Sequence, residues 1–228
     1  MEGVMANLLQ VYSVFPSVDG ECNDYGQGAL TTFIRLAGCN LRCQYPCDTP
    51  NSLSMQAGEP MTIDMVLGQV MRWPIKKVTI TGGEPLLQMD PLLLLIRELS
   101  VERGFDVSIE TNGAVDPGKK LWDLFHFAGC LVVDYKLPSS GEEAAMCFPF
   151  GTLRPRDYCK FVILDRQDFD RALAVMNMWG KYPMKIAFSP VWGRLDPKTM
   201  VDWMMEAKIP RAILSVQLHK IIQLSEPQ

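Results

Sequence analysis

Three cysteines fall within one short run, Gly38-Cys39-Asn40-Leu41-Arg42-Cys43-Gln44-Tyr45-Pro46-Cys47-Asp48-Thr49. Thiolates this close along a backbone can wrap one compact inorganic centre, and three of them leave one corner of a four-iron cluster without a protein ligand. An iron open in that way binds a substrate or cofactor directly. Two other readings compete. Spaced at i, i+4 and i+8, Cys39, Cys43 and Cys47 would line the buried stripe of a helix. Against this, Gly38, Pro46 and the Asp48-Thr49-Pro50 run are turn and breaker residues, and Pro46 would interrupt such a helix. A zinc site would want a fourth ligand, and the two histidines, His126 and His219, are distant in sequence. The spacing favours an iron–sulfur centre over zinc and over structural thiols.

The elements that must position this loop alternate along the chain. Short β-rich runs cover Thr32 to Leu36, Lys77 to Ile80, Asp106 to Glu110, Leu131 to Asp134, Cys159 to Leu164, Met184 to Phe188 and Ala212 to Val216. Helical periodicity covers Ile63 to Met71, Pro91 to Arg103, Leu121 to Phe127, Asp168 to Trp179 and Lys198 to Ala207. Thr62 and Asp168 suit helix N-caps, and Pro91 and Pro197 suit first-turn positions. Near-continuously apolar strands alternating with helices predict an α/β fold with a mostly parallel sheet and right-handed crossovers. The segment from Leu137 to Asp157, rich in Pro, Ser and Gly, reads as the longest irregular stretch, a lid or an interface element.

Chemistry in such folds gathers at the carboxyl ends of the strands. The first predicted strand runs straight into the cysteine loop. The second, third, fourth and sixth end in Thr81-Gly82-Gly83-Glu84-Pro85, Glu110-Thr111-Asn112-Gly113, Asp134-Tyr135-Lys136 and Ser189-Pro190. Polar clusters at the same end of successive strands converge on one mouth. Gly82 and Gly83 let a backbone approach a ligand closely, although a tight strand-to-helix turn explains them equally well.

Composition fits one enzyme domain spanning residues 1–228, with length enough for a substantial core. A net charge of −4 gives no basic field for nucleic acid, and no apolar run is long enough to span a bilayer. No positively charged segment followed by an apolar run marks a secretory signal, and seven cysteines, an odd number, read as reduced thiols. The cytoplasm is the expected location. Cys22, Cys130, Cys147 and Cys159 read as buried small hydrophobes.

The three-cysteine loop followed by Gly82-Gly83-Glu84-Pro85 resembles the radical S-adenosylmethionine (radical SAM) superfamily. Within it the chain is similar to the 7-carboxy-7-deazaguanine synthases. The similarity runs through Pro16-Ser17-Val18-Asp19-Gly20-Glu21, Thr32 to Cys39, Asp48-Thr49, Thr79 to Pro85, Ile109 to Gly113, Asp134 to Ser140 and Ser215 to Lys220. It implies a partial (β/α) barrel of the radical SAM type with the cluster loop after the first barrel strand. It also implies conversion of 6-carboxy-5,6,7,8-tetrahydropterin to 7-carboxy-7-deazaguanine with release of ammonia, through a 5′-deoxyadenosyl radical.

On this resemblance Cys39, Cys43 and Cys47 hold a 4Fe-4S cluster and Thr49 meets a Mg²⁺ ion. Gly83, Glu84, Glu110, Asp134, Tyr135, Lys136 and Ser189 contact S-adenosylmethionine. Glu21 pairs with the guanine-like edge of the pterin and Arg35 with its carboxylate, as their chemistry suits. The backbone of Val18, Asp19 and Gly20 and the hydroxyl of Thr81 complete the substrate pocket. A homodimer and an external electron donor such as flavodoxin follow from the same resemblance. The chain departs from the family pattern in several places. Gln44-Tyr45-Pro46 puts three residues between the second and third cysteines instead of two. Asp19 stands where many relatives have Gln, and Cys22 where they have Gly. The chain also continues from Ile221 to Gln228 beyond the His219-Lys220 motif. A radical enzyme that activates a glycyl-radical protein and a non-catalytic metalloprotein are the alternative functions.

Overall fold

The computed structural model describes residues 7–209 and 211–224, so Ser225 to Gln228, the end of the C-terminal extension, lie outside it. Among the described residues nine strands form one sheet: β1 (Leu9–Val18), β2 (Leu30–Leu36), β3 (Glu59–Met61), β4 (Lys77–Gly82), β5 (Asp106–Thr111), β6 (Cys130–Tyr135), β7 (Tyr158–Ile163), β8 (Lys185–Pro190) and β9 (Ala212–Leu214). Their order is β3-β1-β2-β4-β5-β6-β7-β8-β9. From β2 to β9 every neighbouring pair is parallel, so the α/β fold with a mostly parallel sheet is the one observed. The cysteine loop follows β2, the first parallel strand.

All seven expected strands form. The sequence pattern missed β1 and β3, which pair antiparallel at one side of the sheet. β1 is broken by a register shift between Val11 and Ser13 and contains Pro16, which blurs its alternation. The helices are α1 (Ile63–Val70), α2 (Met89–Arg97), α3 (Leu121–Phe127), α4 (Arg166–Trp179), α5 (Pro197–Glu206) and a short α6 (Leu218–Ile221) that periodicity did not reveal. Thr62 caps α1 by accepting from Met65 N–H at 3.3 Å. The cap of α4 is Asp165 rather than Asp168: Asp165 accepts from Asp168 N–H at 3.0 Å. Asp168 is instead buried in the first turn, where it accepts from Ser139 N–H at 3.1 Å and Leu164 N–H at 2.9 Å.

Strand alternation divides the residues between two faces. Ile34, Leu36, Ile80, Ile109, Val133, Phe161 and Phe188 point outward, into the core shared with the helices, where Val66, Leu95, Ile96, Leu124, Phe169 and Met200 meet them. The opposite parity points inward. There the sheet curls until the segment after β1 meets the segment after β9. Leu218 N–H donates to Gly20 O at 2.9 Å, and Cys22 N–H to Ser215 Oγ at 3.1 Å. Loops, rather than strand pairing, complete the partial barrel.

Its floor combines a small apolar cluster of Cys22, Cys130, Val132, Tyr158 and Ala187 with a buried polar group. Lys77 Nζ lies 3.5 Å from Asp19 Oδ2, with both side chains almost inaccessible. Thr79 Oγ1 donates to Asp19, and Lys77 donates to Ser108 Oγ at 2.5 Å. Three of the four remaining cysteines, Cys22, Cys130 and Cys159, are buried as expected, but Cys147 is exposed in the irregular segment.

That segment is a support. It winds through short 3-10 turns at Pro138–Ser140, Glu143–Ala145 and Phe150–Thr152 and sinks Phe148, Phe150 and Leu153 into the core. Ser140 O accepts from Gln44 N–H at 3.0 Å, and Glu142 Oε1 from Arg42 N–H at 2.6 Å, so it braces the cysteine loop.

Removing one partner of a buried ion pair strands the other charge. Lys77→Met is expected to destabilise the fold by roughly 3–5 kcal/mol, whereas the Asp19→Leu/Lys77→Met double variant recovers most of that loss. Urea denaturation measures both; equal stability of wild type and Lys77→Met would show that the pair is not electrostatically coupled.

Candidate active site

A cavity of about 630 Å³ opens at the carboxyl ends of the parallel strands. Around it stand Val18, Gly20, Glu21, Arg35, Cys39, Cys43, Cys47, Thr49, Thr81, Gly83, Glu110, Asp134, Lys136 and Ser189. Their convergence follows from register. Arg35 and Thr81 are partners across β2 and β4, and both have inward parity. Glu110, Asp134 and Ser189 occupy inward positions near the ends of β5, β6 and β8.

The cysteine loop is hung from β2 and β4 by main-chain bonds. Gly83 N–H donates to Leu36 O at 3.0 Å, and Glu84 N–H to Gly38 O at 2.7 Å. A Cβ on Gly83 would collide with the Gly38 carbonyl, so this approach requires glycine. Thr49 Oγ1 donates to Gly82 O at 3.2 Å, tying the far end of the loop to the same strand. Cys39 Sγ accepts from Leu41 N–H at 3.4 Å, and Cys47 Sγ from Thr49 N–H at 3.4 Å. Burial pushes the Cys43 thiol pKa up, against the pull of Lys136, and the nearby Cys47 and Cys39 push it further. Three thiols bordering one cavity, with N–H groups aimed at two of the sulfurs, are a donor set that suits a thiolate-bound cluster.

One wall carries alternating charge. Lys160 bridges Glu21 and Asp134, lying 3.0 Å from Asp134 Oδ1, while Lys136 sits 2.6 Å from Asp134 Oδ2. Asp134 and Lys160 are register partners on β6 and β7. Burial opposes ionisation of Asp134, but Lys136 and Lys160 outweigh it and hold its carboxyl below the usual range. Burial likewise opposes the charge on Lys160, yet Asp134, Glu21 and Glu110 raise its pKa well above the ordinary value. Thr81 Oγ1 donates to Glu110 Oε2 at 2.8 Å. Burial, reinforced by Glu21, lifts the Glu110 carboxyl to about 7.

A sequence profile of the Radical SAM superfamily matches residues 33–207. The chain is 38% identical over 216 residues to a 7-carboxy-7-deazaguanine synthase from Clostridium acetobutylicum, covering 93% of this chain and 95% of that protein. It is 37% identical over 219 residues to one from Methanospirillum hungatei, covering 95% and 86%. This chain belongs to the 7-carboxy-7-deazaguanine synthase family. A crystal structure of QueE from Escherichia coli shares the fold with a TM-score of 0.64 at 20% identity, covering 92% of this chain and 94% of that one. Membership of the radical SAM superfamily implies a 4Fe-4S cluster and S-adenosylmethionine.

Tyr135 and Glu84 turn their side chains away from the cavity, and so does Asp19, whose expected contact is through its backbone. Asp19 points into the floor, toward Lys77 and Thr79. Tyr135 has outward parity and packs among Phe150, Phe161 and Trp179. Glu84 is fully buried behind the loop, where it accepts from Asn112 N–H at 2.6 Å, Leu86 N–H at 2.9 Å and Thr111 Oγ1 at 2.7 Å. Burial outweighs these three bonds and lifts its carboxyl to about 7.

Sequence reading missed residues that line the cavity alongside the expected ones. Lys160 is foremost; its signal was a lone charge inside the apolar run Cys159 to Leu164. Gln217 donates to both Glu21 and Asp48, and Lys220 pairs with Asp48, so the C-terminal segment is fastened to the cysteine loop. Phe15 stacks on Phe33 with centroids 5.4 Å apart, and Arg35 lies over Phe15 at 5.7 Å.

The raised carboxyl of Glu110 makes a pH-dependent contribution to stability. Its pKa rises from 4.5 to about 7 on folding, so its contribution is complete below about pH 4.5 and is lost as pH climbs through 7. Glu110→Gln does not titrate. Its urea midpoint is expected to gain on the wild type between about pH 5 and pH 8; parallel curves would place the Glu110 pKa at its ordinary value.

Proposed function

We propose that this protein converts 6-carboxy-5,6,7,8-tetrahydropterin to 7-carboxy-7-deazaguanine with release of ammonia, as a radical SAM lyase. The observation that carries this reading is that Glu21 and Arg35 line the same cavity as Cys39, Cys43 and Cys47. The first two are a carboxylate and a guanidinium suited to a pterin edge and a carboxylate; the thiols are suited to a cluster. The relatives that carry the name 7-carboxy-7-deazaguanine synthase support it across nearly the full chain. They do not favour the reading as an activating enzyme for a glycyl-radical protein.

Cys39, Cys43 and Cys47 would hold the cluster. Together with S-adenosylmethionine it supplies, when bound, a 5′-deoxyadenosyl radical for hydrogen abstraction. The protein's part is to orient and to exclude water. The Gly83 backbone with Glu110, Asp134, Lys136 and Ser189 forms the cosubstrate side of the cavity. Glu84 and Tyr135 serve that side from behind, Glu84 by fixing the Asn112 backbone and Tyr135 by packing β6 against the helices. Arg35, Glu21, Thr81 and the backbone of Val18, Asp19 and Gly20 form the pterin side. Lys160 fixes the Glu21 carboxylate relative to Asp134.

Thr49 is the proposed contact for a Mg²⁺ ion that would also meet substrate oxygens. The proposal also includes a homodimer, a cytoplasmic setting and an external one-electron donor such as flavodoxin. No helix among the described residues is long and apolar enough to cross a membrane.

Arg35→Ala is expected to weaken binding of the carboxylated pterin at least about tenfold while leaving the cluster absorption spectrum unchanged. Arg35→Lys restores little, because a single ammonium does not reproduce the bidentate fork. Isothermal titration with carboxylated and decarboxylated pterins makes the comparison; equal loss for both ligands would remove Arg35 from the carboxylate site. Thr49→Val is expected to raise the Mg²⁺ concentration required for half-maximal turnover, and Thr49→Ser to leave it near the wild-type value. Identical Mg²⁺ titrations for all three proteins would remove Thr49 from a cation site.

A further inference from the structure

Asn112, at the end of β5, touches the cysteine loop with a side chain whose orientation is fixed by its partners. Its Oδ1 accepts from Ala114 N–H at 2.9 Å, and that group can only donate. Its amide nitrogen therefore faces the other way. Nδ2 donates to Asn40 Oδ1 at 2.9 Å and lies 3.7 Å from Cys39 Sγ, within hydrogen-bonding reach of sulfur. Asn40 is fixed in turn, because its own Nδ2 donates to Ala114 O at 2.9 Å. The main chain of Asn112 is pinned as well, by its N–H bond to Glu84 Oε2. Asn112, Asn40 and Ala114 thus form a closed ring that leaves one amide hydrogen aimed at a single sulfur. Asn112 is only 8% exposed, so water does not readily replace that donor.

We propose that Asn112 tunes the reduction potential of the cluster by donating its side-chain N–H to the Cys39 thiolate. The inference rests on the reading of Cys39, Cys43 and Cys47 as cluster ligands. Adding an electron increases the negative charge on the cluster sulfurs, so a donor hydrogen bond is stronger in the reduced state and raises the potential. Cys39 receives this side-chain donor in addition to the Leu41 N–H, whereas the Thr49 hydroxyl, 3.8 Å from Cys47 Sγ, commits its hydrogen to Gly82 O. Asn112 acts through the thiolate; it is a positioning and tuning residue and takes no part in bond breaking.

The test is an anaerobic redox titration of the reconstituted protein followed by electron paramagnetic resonance, on wild type, Asn112→Ala, Asn112→Asp and Asn40→Ala. Asn112→Asp keeps the acceptor for Ala114 N–H but replaces the donor with a negative oxygen. At the potential that half-reduces the wild-type cluster, the ratio of reduced to oxidised cluster is expected to fall about tenfold in Asn112→Ala. It falls further in Asn112→Asp. Asn40→Ala loosens the same ring while keeping the donor, and its potential is expected to match the wild type.

Unchanged potentials in both Asn112 variants, with iron content equal to the wild type, would overturn the inference and leave the cluster reading intact. A shift in Asn40→Ala equal to that in Asn112→Ala would also overturn it, because loop loosening would then be the cause. A wild-type protein that takes up no four-iron cluster would overturn both readings.

Discussion

The ion chain Glu21–Lys160–Asp134–Lys136 is the constraint around which the cavity is built. Each of these charges is largely withdrawn from water, and none is tolerable there alone. Burial opposes the charge on Lys160, and its two carboxylates outweigh that effect. Burial opposes the charge on Asp134, and its two ammonium groups outweigh that effect. Pairing gives little net stability beyond what apolar residues would give, because desolvation consumes most of the attraction. What it confers is position. The chain stitches the segment after β1 to β7, β7 to β6, and β6 to the turn that follows it, so both sides of the cavity keep a fixed spacing. Glu21, the proposed partner of the pterin edge, and the proposed cosubstrate contacts Asp134 and Lys136 are held in one frame by these bonds.

The cysteine loop depends on a different kind of contact. It is suspended by main-chain hydrogen bonds at Leu36, Gly38, Gly83 and Glu84, with Thr49 fastened to Gly82. Because backbone groups carry the load, the sequence between the anchor points can vary. The three-residue spacer Gln44-Tyr45-Pro46 shows how. Gln44 N–H reaches Ser140 O, and the Gln44 side chain lies over Gly141, whose φ of +74° and missing Cβ make room for it. Tyr45 turns into the cavity lining, while Pro46 and Cys47 stay exposed. The spacer is thus braced by the irregular segment, and all three thiols border the cavity.

Much of this was legible in the sequence, for identifiable reasons. Parallel strands buried on both faces write continuous apolar runs, and all of those were readable. Polar residues at strand ends gave most of the cavity, because chain direction alone fixes which end they occupy. The antiparallel strands β1 and β3 were not legible: a bulge and two prolines, Pro16 and Pro60, hide their period. Side-chain parity was the other gap. Asp134 and Tyr135 are adjacent, and only the register of β6 shows that one enters the cavity while the other packs outside. Lys160 was hidden by the same ambiguity, since a charge inside an apolar strand has meaning only once its cross-strand partner Asp134 is known. Asp19 shows the reverse case, a polar residue beside the pocket whose side chain serves the floor.

In the proposed function one cavity joins a radical-generating centre to a carboxylated pterin. The most direct measurement is anaerobic turnover of the reconstituted protein with reductant, S-adenosylmethionine, Mg²⁺ and 6-carboxy-5,6,7,8-tetrahydropterin, with products identified by mass spectrometry. The expected products are 7-carboxy-7-deazaguanine and ammonia in equal amounts. An intact four-iron spectrum with bound S-adenosylmethionine and no deazaguanine product would contradict the proposed function.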